Sequence, residues 1–269
     1  MRIGELCLVI RFLQGAKLKL SHRKVHSILQ MIFKIVFLPI AIMTLIIVLN
    51  KNGFFNIREI SLEILDADNQ QVYYTPFLAK LQRELDTHRG QSLLEIKINQ
   101  IYSSMARLDW IEKIAIQRQW PNILKIEIQP KVVQLIFLDN GKLYPVIRDG
   151  RLQKSVAPNH APDVAILVGK EFQNNQHLRK QAVGVINEIP DQGPFNKKNI
   201  SEIKFDTKDG FWIKLMNEKI DVKIGSEQVA IKAQRVSQVL NYLEEHQFKA
   251  RVIDADLSKK VLVRLRKDP

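Results

Sequence analysis

From Ile28 to Leu49 the chain reads ILQMIFKIVFLPIAIMTLIIVL, apolar apart from Gln30, Lys34 and Thr44, and no second stretch of the 269 residues resembles it. As a helix rising about 1.5 Å per residue, residues 28–49 cover the roughly 30 Å hydrocarbon core of a bilayer. Lys34 lies in the first third, close enough to that end for its ammonium to snorkel to the interface. Pro39 is better tolerated in a membrane helix than in a soluble one. The segment predicts a single-pass membrane protein.

Charge predicts the orientation. Residues 1–27 carry Arg2, Arg11, Lys17, Lys19, Arg23 and Lys24 against one acid, Glu5, whereas the residues just after the span mix Lys51 and Arg58 with Glu59, Glu63, Asp66 and Asp68. The positive-inside rule places this basic tail in the cytoplasm and residues 50–269 outside. A cleaved signal peptide would want a short n-region and a small-residue cleavage site. Here the n-region is long and the span runs into Leu49-Asn50-Lys51-Asn52, so an uncleaved signal anchor is the reading. Residues 2–20 have an apolar face, which suits a short interfacial helix.

The net charge of +13 divides unevenly: residues 1–51 hold +7, and the other 218 hold 33 basic against 27 acidic residues. The tail's share follows from topology and attraction to anionic headgroups. The exported share is interspersed with acids, as on a solvated surface, so nucleic-acid binding is not the reading. The only cysteine, Cys7, lies in the tail, so the exported part holds no disulfide and must be stabilised by its cores. About 220 residues leave room for two small domains.

Next to the span, Ile60, Leu62 and Ile64 alternate with Ser61 and Glu63 as in a half-buried strand (57–65). Thr75-Pro76 reads as the N-cap and first position of a helix with Phe77, Leu78, Leu81 and Leu85 on its apolar face. A second helix carries Ile98, Ile101, Tyr102, Met105 and Leu108. Two strands follow, Lys113–Arg118 and Leu124–Gln129, joined by Trp120-Pro121-Asn122. The order over residues 54–130 is β-α-α-β-β.

The second half (131–269) reads as a mainly antiparallel β domain with a packed helix. Asn140-Gly141, Asp149-Gly150 and Asp209-Gly210 are turn signals. A helix is expected from His177 to Ile189, and strands around Phe205–Leu215 and Ile220–Ile224. Ser226 can cap a last helix whose apolar residues Val229, Ala233, Val236, Leu240 and Leu243 step by four and three. Two heptads are short for a coiled coil, which favours a core face. Arg251–Leu257 and Val261–Leu265 form a closing strand pair. Asp254 and Asp256 share a strand face, as charges that discourage edge aggregation do.

Candidate chemistry is sparse. The six histidines (22, 26, 88, 160, 177, 246) have no His or Cys at ligand spacing, so no metal is expected, and His22 and His26 sit in a cation-repelling tail. Ser21-His22-Arg23-Lys24 and Ser201-Glu202-Ile203-Lys204 match the Ser-x-x-Lys pattern of penicillin-binding enzymes but lack its Ser-Asp-Asn and Lys-Thr-Gly partners. No phosphate loop or dinucleotide glycine fingerprint is present. No catalytic residue and no cofactor are assigned.

The order of elements resembles a POTRA domain. Gly53-Phe54-Phe55, Gly90-Gln91-Ser92-Leu93-Leu94, Leu108-Asp109-Trp110-Ile111 and Arg118-Gln119-Trp120-Pro121-Asn122 behind one membrane helix resemble the bacterial cell-division family FtsQ, called DivIB in Gram-positive species. Departures are Asp66-Ala67-Asp68 where that family commonly has a glycine, and Pro130-Lys131-Val132-Val133 where it has Glu-Arg-x-Pro, at the hinge between domains. Asp256 stands where an Asp-Leu-Arg run would have arginine.

The resemblance implies a non-catalytic scaffold of the divisome at the inner membrane and division septum. It implies the small bitopic proteins FtsB and FtsL as partners at the end of the β domain, and recruitment to midcell, with other division proteins, through the POTRA domain. A POTRA-containing transport component and a membrane-anchored cell-wall enzyme are the alternatives. The first would need a long barrel that about 135 residues cannot supply, and the second lacks site residues. With only Arg266–Pro269 after it, the last strand is expected to present an open edge. Arg251, Ile253, Val261, Val263, Arg264 and Leu265 are the expected partner-binding residues, the arginines facing acids on the partner.

Overall fold

The computed structural model describes residues 22–65, 70–216, 219–258 and 260–266. The tail before His22, with Cys7 and the expected interfacial helix over 2–20, lies outside the described residues, as does Asp66-Ala67-Asp68. Helix α1 (His22–Lys51) contains the apolar stretch. Its Phe33–Lys51 part has a mean hydropathy of 2.3, and none of its residues is buried by the rest of the chain. By length and composition it is able to cross a membrane.

After α1 come strand β1 (Glu59–Ile64), helices α2 (Gln71–Asp86) and α3 (Ile98–Met105), and strands β2 (Ile111–Gln119) and β3 (Ile123–Pro130). The strands form one sheet in the order β1-β3-β2, with β3 parallel to β1 and antiparallel to β2. Leu124, Ile126 and Ile128 of β3 are completely buried under Tyr73, Tyr74, Leu81 and Leu85 of α2 and Ile101 and Met105 of α3. The period-two alternation thus meets two helical stripes, and the expected β-α-α-β-β order is present.

Helix α2 starts earlier than Thr75-Pro76 suggests. Thr75 lies inside it, its hydroxyl donating to the Gln71 carbonyl at 2.8 Å, and Gln70 occupies the cap position. Pro76 costs one helical bond, that to Val72. Val72 is exposed, so water can satisfy its carbonyl.

The second sheet has eight strands: β4 (Val133–Asp139), β5 (Lys142–Ile147), β6 (Ile166–Val168), β7 (Ile200–Asp206), β8 (Gly210–Leu215), β9 (Asp221–Lys223), β10 (Ala250–Asp254) and β11 (Leu262–Leu265). Their order is β11-β10-β9-β8-β7-β6-β4-β5. The sheet is mixed, because β4–β6, β6–β7 and β9–β10 pair in parallel. Those parallel pairs need crossovers, and helices supply two of them: α4 (Gln176–Glu188) leads from β6 to β7, and α5 (Val229–Glu245) from β9 to β10.

Two helices therefore pack on this sheet. The α5 stripe Val229, Ala233, Val236, Leu240 and Leu243 is buried, as a core face requires. Ser226 does not cap α5; Gln228 precedes it in a left-handed conformation. The Ala230 N–H instead donates to Glu188 Oε2 of α4 at 3.2 Å. Arg179 of α4 is buried and donates to the carbonyls of Gly150, Phe172 and Gln173. Burial lowers its pKa.

The two sheets are tied together at Gln70. Its side-chain Nε2 donates to the Val133 carbonyl at 2.7 Å, and its Oε1 accepts from the Val133 N–H at 3.0 Å. The side chain thereby mimics a neighbouring strand. The Tyr74 hydroxyl donates to the Lys131 carbonyl at 2.8 Å. Burial pushes the Tyr73 phenol up to about 12 and raises Tyr74 further, the charge of Tyr73 adding to burial there. Tyr74 therefore stays a donor across the physiological range. The departure from the family pattern at residues 130–133 is thus accompanied by a clamped junction.

Candidate functional site

The expected partner strand, β11, lies at one end of the eight-stranded sheet. It pairs antiparallel with β10, Ile253 facing Val263 and Asp254 facing Leu262, with a bulge at Arg251. Among the described residues no strand pairs with its other side. Which groups face outward follows from the hydrogen bonds. The Arg266 N–H donates to the Lys249 carbonyl at 2.8 Å. Strand groups alternate sides, so Arg264 and Leu262 also bond inward to β10, while the N–H and C=O of Val263 and Leu265 point away from the sheet. Consistently, the Ala255 N–H reaches the Lys223 carbonyl of β9 at 2.9 Å, which leaves Val252 and Asp254 for β11.

The six expected site residues have different surroundings. Arg251, Arg264 and Leu265 are exposed, and Val261 and Val263 are half-buried against the core. Ile253 is completely buried, packed in the core among Val222, Ile213 and Ala250, so its side chain supports the edge from behind. Val261 lies just before the observed strand.

Beside the edge runs an apolar groove of about 400 Å³, lined by Gln238, Val239, Tyr242 and Leu243 of α5, Phe248 of the following turn, and Val263 and Leu265 of β11. Tyr242 is 55% exposed and Phe248 is 49% exposed. His246 stacks between them, with ring centroids 4.1 Å from Tyr242 and 6.0 Å from Phe248. An adjoining hollow of about 520 Å³ contains Lys219, Lys249 and Arg266 with one acid, Glu244. The edge thus offers backbone groups, an aromatic groove on one flank and positive charge at one end. Sequence reasoning missed Tyr242 and Phe248. The available signal was that α5 carries apolar residues, Val239 and Tyr242, beside its buried stripe.

Asp256 is not an edge charge. Its Oδ1 accepts from Lys232 Nζ of α5 at 2.7 Å, and that buried ammonium also donates to the Ile224 carbonyl at 3.0 Å. The segment between β10 and β11 is therefore anchored to the helix that forms the groove. Gly225, at φ +71°, has no room for a Cβ because the Asp256 carboxylate occupies that space. Among the described residues no group of three His, Cys, Asp or Glu side chains could hold a metal.

Comparison with known proteins gives two family matches: the FtsQ-type POTRA domain over residues 79–129, and the C-terminal part of the cell division protein FtsQ/DivIB over residues 136–256. The chain is 24% identical over 182 residues to the cell division protein FtsQ of Geobacter sp. (strain M21), covering 65% of this chain and 66% of that protein. It is 21% identical over 185 residues to FtsQ of Geotalea daltonii, again covering 65% and 66%. It thus spans just under two thirds of the length of these relatives. The solved major extracytoplasmic domain of the trans isomer of DivIB from Geobacillus stearothermophilus is similar at 20% identity and a TM-score of 0.33, covering 43% of this chain and 95% of that one.

Proposed function

The chain belongs to the FtsQ/DivIB family of bacterial cell-division proteins, and we propose that it is a scaffold of the divisome, anchored in the inner membrane by α1, that captures a small bitopic partner of the FtsB type, and FtsL through it, on its open β11 edge. It acts by holding proteins together outside the cytoplasm, at the septum. The observation that carries this reading is the outward-facing N–H and C=O groups of Val263 and Leu265 beside the Tyr242–Phe248 groove. A partner strand satisfies the backbone groups. Its alternate apolar side chains fill the groove, and acids flanking it meet Arg251, Arg264 and Lys249.

The test is Val263→Pro. Proline removes an N–H that bonds nothing inside the sheet, so the strand can keep its β10 pairing. The expected outcome is a folded protein that reaches midcell and no longer retains its small bitopic partner in a detergent pull-down. Unchanged pull-down by a folded Val263→Pro protein would place the partner site elsewhere, on the POTRA domain first.

A further inference from the structure

The junction between α1 and the first sheet leaves almost no slack. Asn50, in the last turn of α1, is held at both ends of its amide: Nδ2 donates to Glu95 Oε1 at 2.8 Å, and Oδ1 accepts from Ser92 Oγ at 2.6 Å. The backbone continues the attachment. The Phe54 N–H bonds the Leu49 carbonyl at 3.0 Å, the Leu93 N–H bonds Phe55 at 2.8 Å, and the Ile57 N–H bonds Gln91 at 2.9 Å. Helix end and domain are one piece.

That piece presents apolar side chains where the helix leaves the bilayer. Phe54 is 46% exposed, and its ring meets Phe55 edge-on at 5.2 Å. Phe55 meets Trp120 edge-on at 5.8 Å, and Trp120, at the β2–β3 turn, is 54% exposed. The Arg58 N–H holds that turn in place through the Asn122 carbonyl at 3.0 Å. Leu94, two residues from Ser92, is also exposed, and exposed Lys51 and Arg58 flank the patch.

We propose that Phe54, Leu94 and Trp120 sit in the lipid headgroup layer, so that the POTRA domain is docked on the membrane its own helix crosses. The proposal rests on the membrane-anchor reading of α1. Reach argues for the bilayer as occupant. Phe54 lies three residues beyond the helix end, hence within about 10 Å of it even if fully extended, and the headgroup layer is roughly 5–8 Å deep on each side. Tryptophan favours that layer because it has an apolar ring and one N–H to hydrate, and Lys51 and Arg58 are placed to meet anionic headgroups.

The test uses the full chain reconstituted in vesicles of phosphatidylethanolamine and phosphatidylglycerol, with and without acyl chains brominated near the headgroup. Flotation reports insertion. In floated wild-type protein, brominated lipid should quench part of the tryptophan emission, and the Trp120→Phe protein should lose that component. Trp110, buried in the first core, supplies unquenched signal in both. A floated protein quenched equally with and without Trp120, or one whose Trp120 stays open to aqueous iodide, overturns the docking. Failure to float overturns the anchor and the docking with it.

Discussion

Gln70→Ala removes the side-chain amide that, beside the Tyr74–Lys131 hydrogen bond, joins the two sheets. Gln70 is 7% exposed and Val133 is 1% exposed, so water cannot readily replace the lost amide. The substitution strips the partners from the Val133 N–H (3.0 Å) and C=O (2.7 Å) together. A buried group left without its hydrogen bond costs about 1–3 kcal/mol, so two such groups sum to about 2–6 kcal/mol, the lower half applying if local opening admits a water. At about 2–4 °C of melting temperature per kcal/mol for a chain of this size, the full-length protein in detergent should melt about 4–24 °C lower, followed by tryptophan fluorescence and circular dichroism. Gln70→Glu keeps an acceptor for the Val133 N–H but loses the donor to its carbonyl, so it should be destabilised as well. A Gln70→Ala shift under about 1 °C would refute the reasoning, because it would mean that the Val133 groups are already hydrated or that the domains do not unfold together.

Asp256→Ala leaves the buried Lys232 ammonium with only the Ile224 carbonyl. It should cost about 2–4 kcal/mol, less than a fully buried pair because the Asp256 side chain is 33% exposed. Lys232→Met should cost less, since the carboxylate left behind can hydrate; the reverse order in thermal melts would refute this reading of the pair. Acid stability follows from four carboxylates with lowered pKa, among them Asp86, held down by hydrogen bonds from Arg89 and Gln82. Asp206 accepts the N–H groups of Lys208 and Asp209. At Asp149 and Glu202 desolvation pushes upward but is outweighed, by Arg151 and by Lys214 with Lys204 respectively. Groups lowered in the folded state stabilise above the unfolded carboxylate pKa of about 4 and lose that contribution as pH falls through the folded value. The melting temperature should therefore drop below about pH 4, and a triple Asp149→Asn, Glu202→Gln, Asp206→Asn protein should show a shallower drop. For topology, a phosphatase reporter that works only outside the cytoplasm should be active after Pro269 and silent after Lys24.

The long apolar helix, the β-α-α-β-β order and the closing strand pair were legible because each is written in local sequence pattern. Strand alternation at Leu124–Ile128 and the four-three stepping of Val229–Leu243 survive any tertiary arrangement. Both expected caps failed for the opposite reason. The start of α5 is satisfied by Glu188, 42 residues away, and the start of α2 is set by the Gln70 clamp on Val133, 63 residues away. Asp256 was misread because its partner Lys232 is 24 residues off on a helix. The parallel pairs within the mainly antiparallel sheet were not legible because short strands such as Ile166–Val168 carry no period. Of the candidate site, the edge itself was readable. The groove was not, since it forms only when the turn through His246 brings Phe248 back beside β11.

On the proposed function, an edge kept open for a partner strand imposes a demand on gene dosage. Leu262 and Leu265 are exposed on it, and Arg264 is the strand's one charged residue, a thin defence against another unpaired edge. Two copies can satisfy each other by antiparallel β11–β11 pairing, an isologous contact with two-fold symmetry. On the same proposal, synthesis of this chain in excess over its partner favours self-pairing, which would withdraw the surface proposed for assembly. Stoichiometry with the proposed partner would then be a property of the fold.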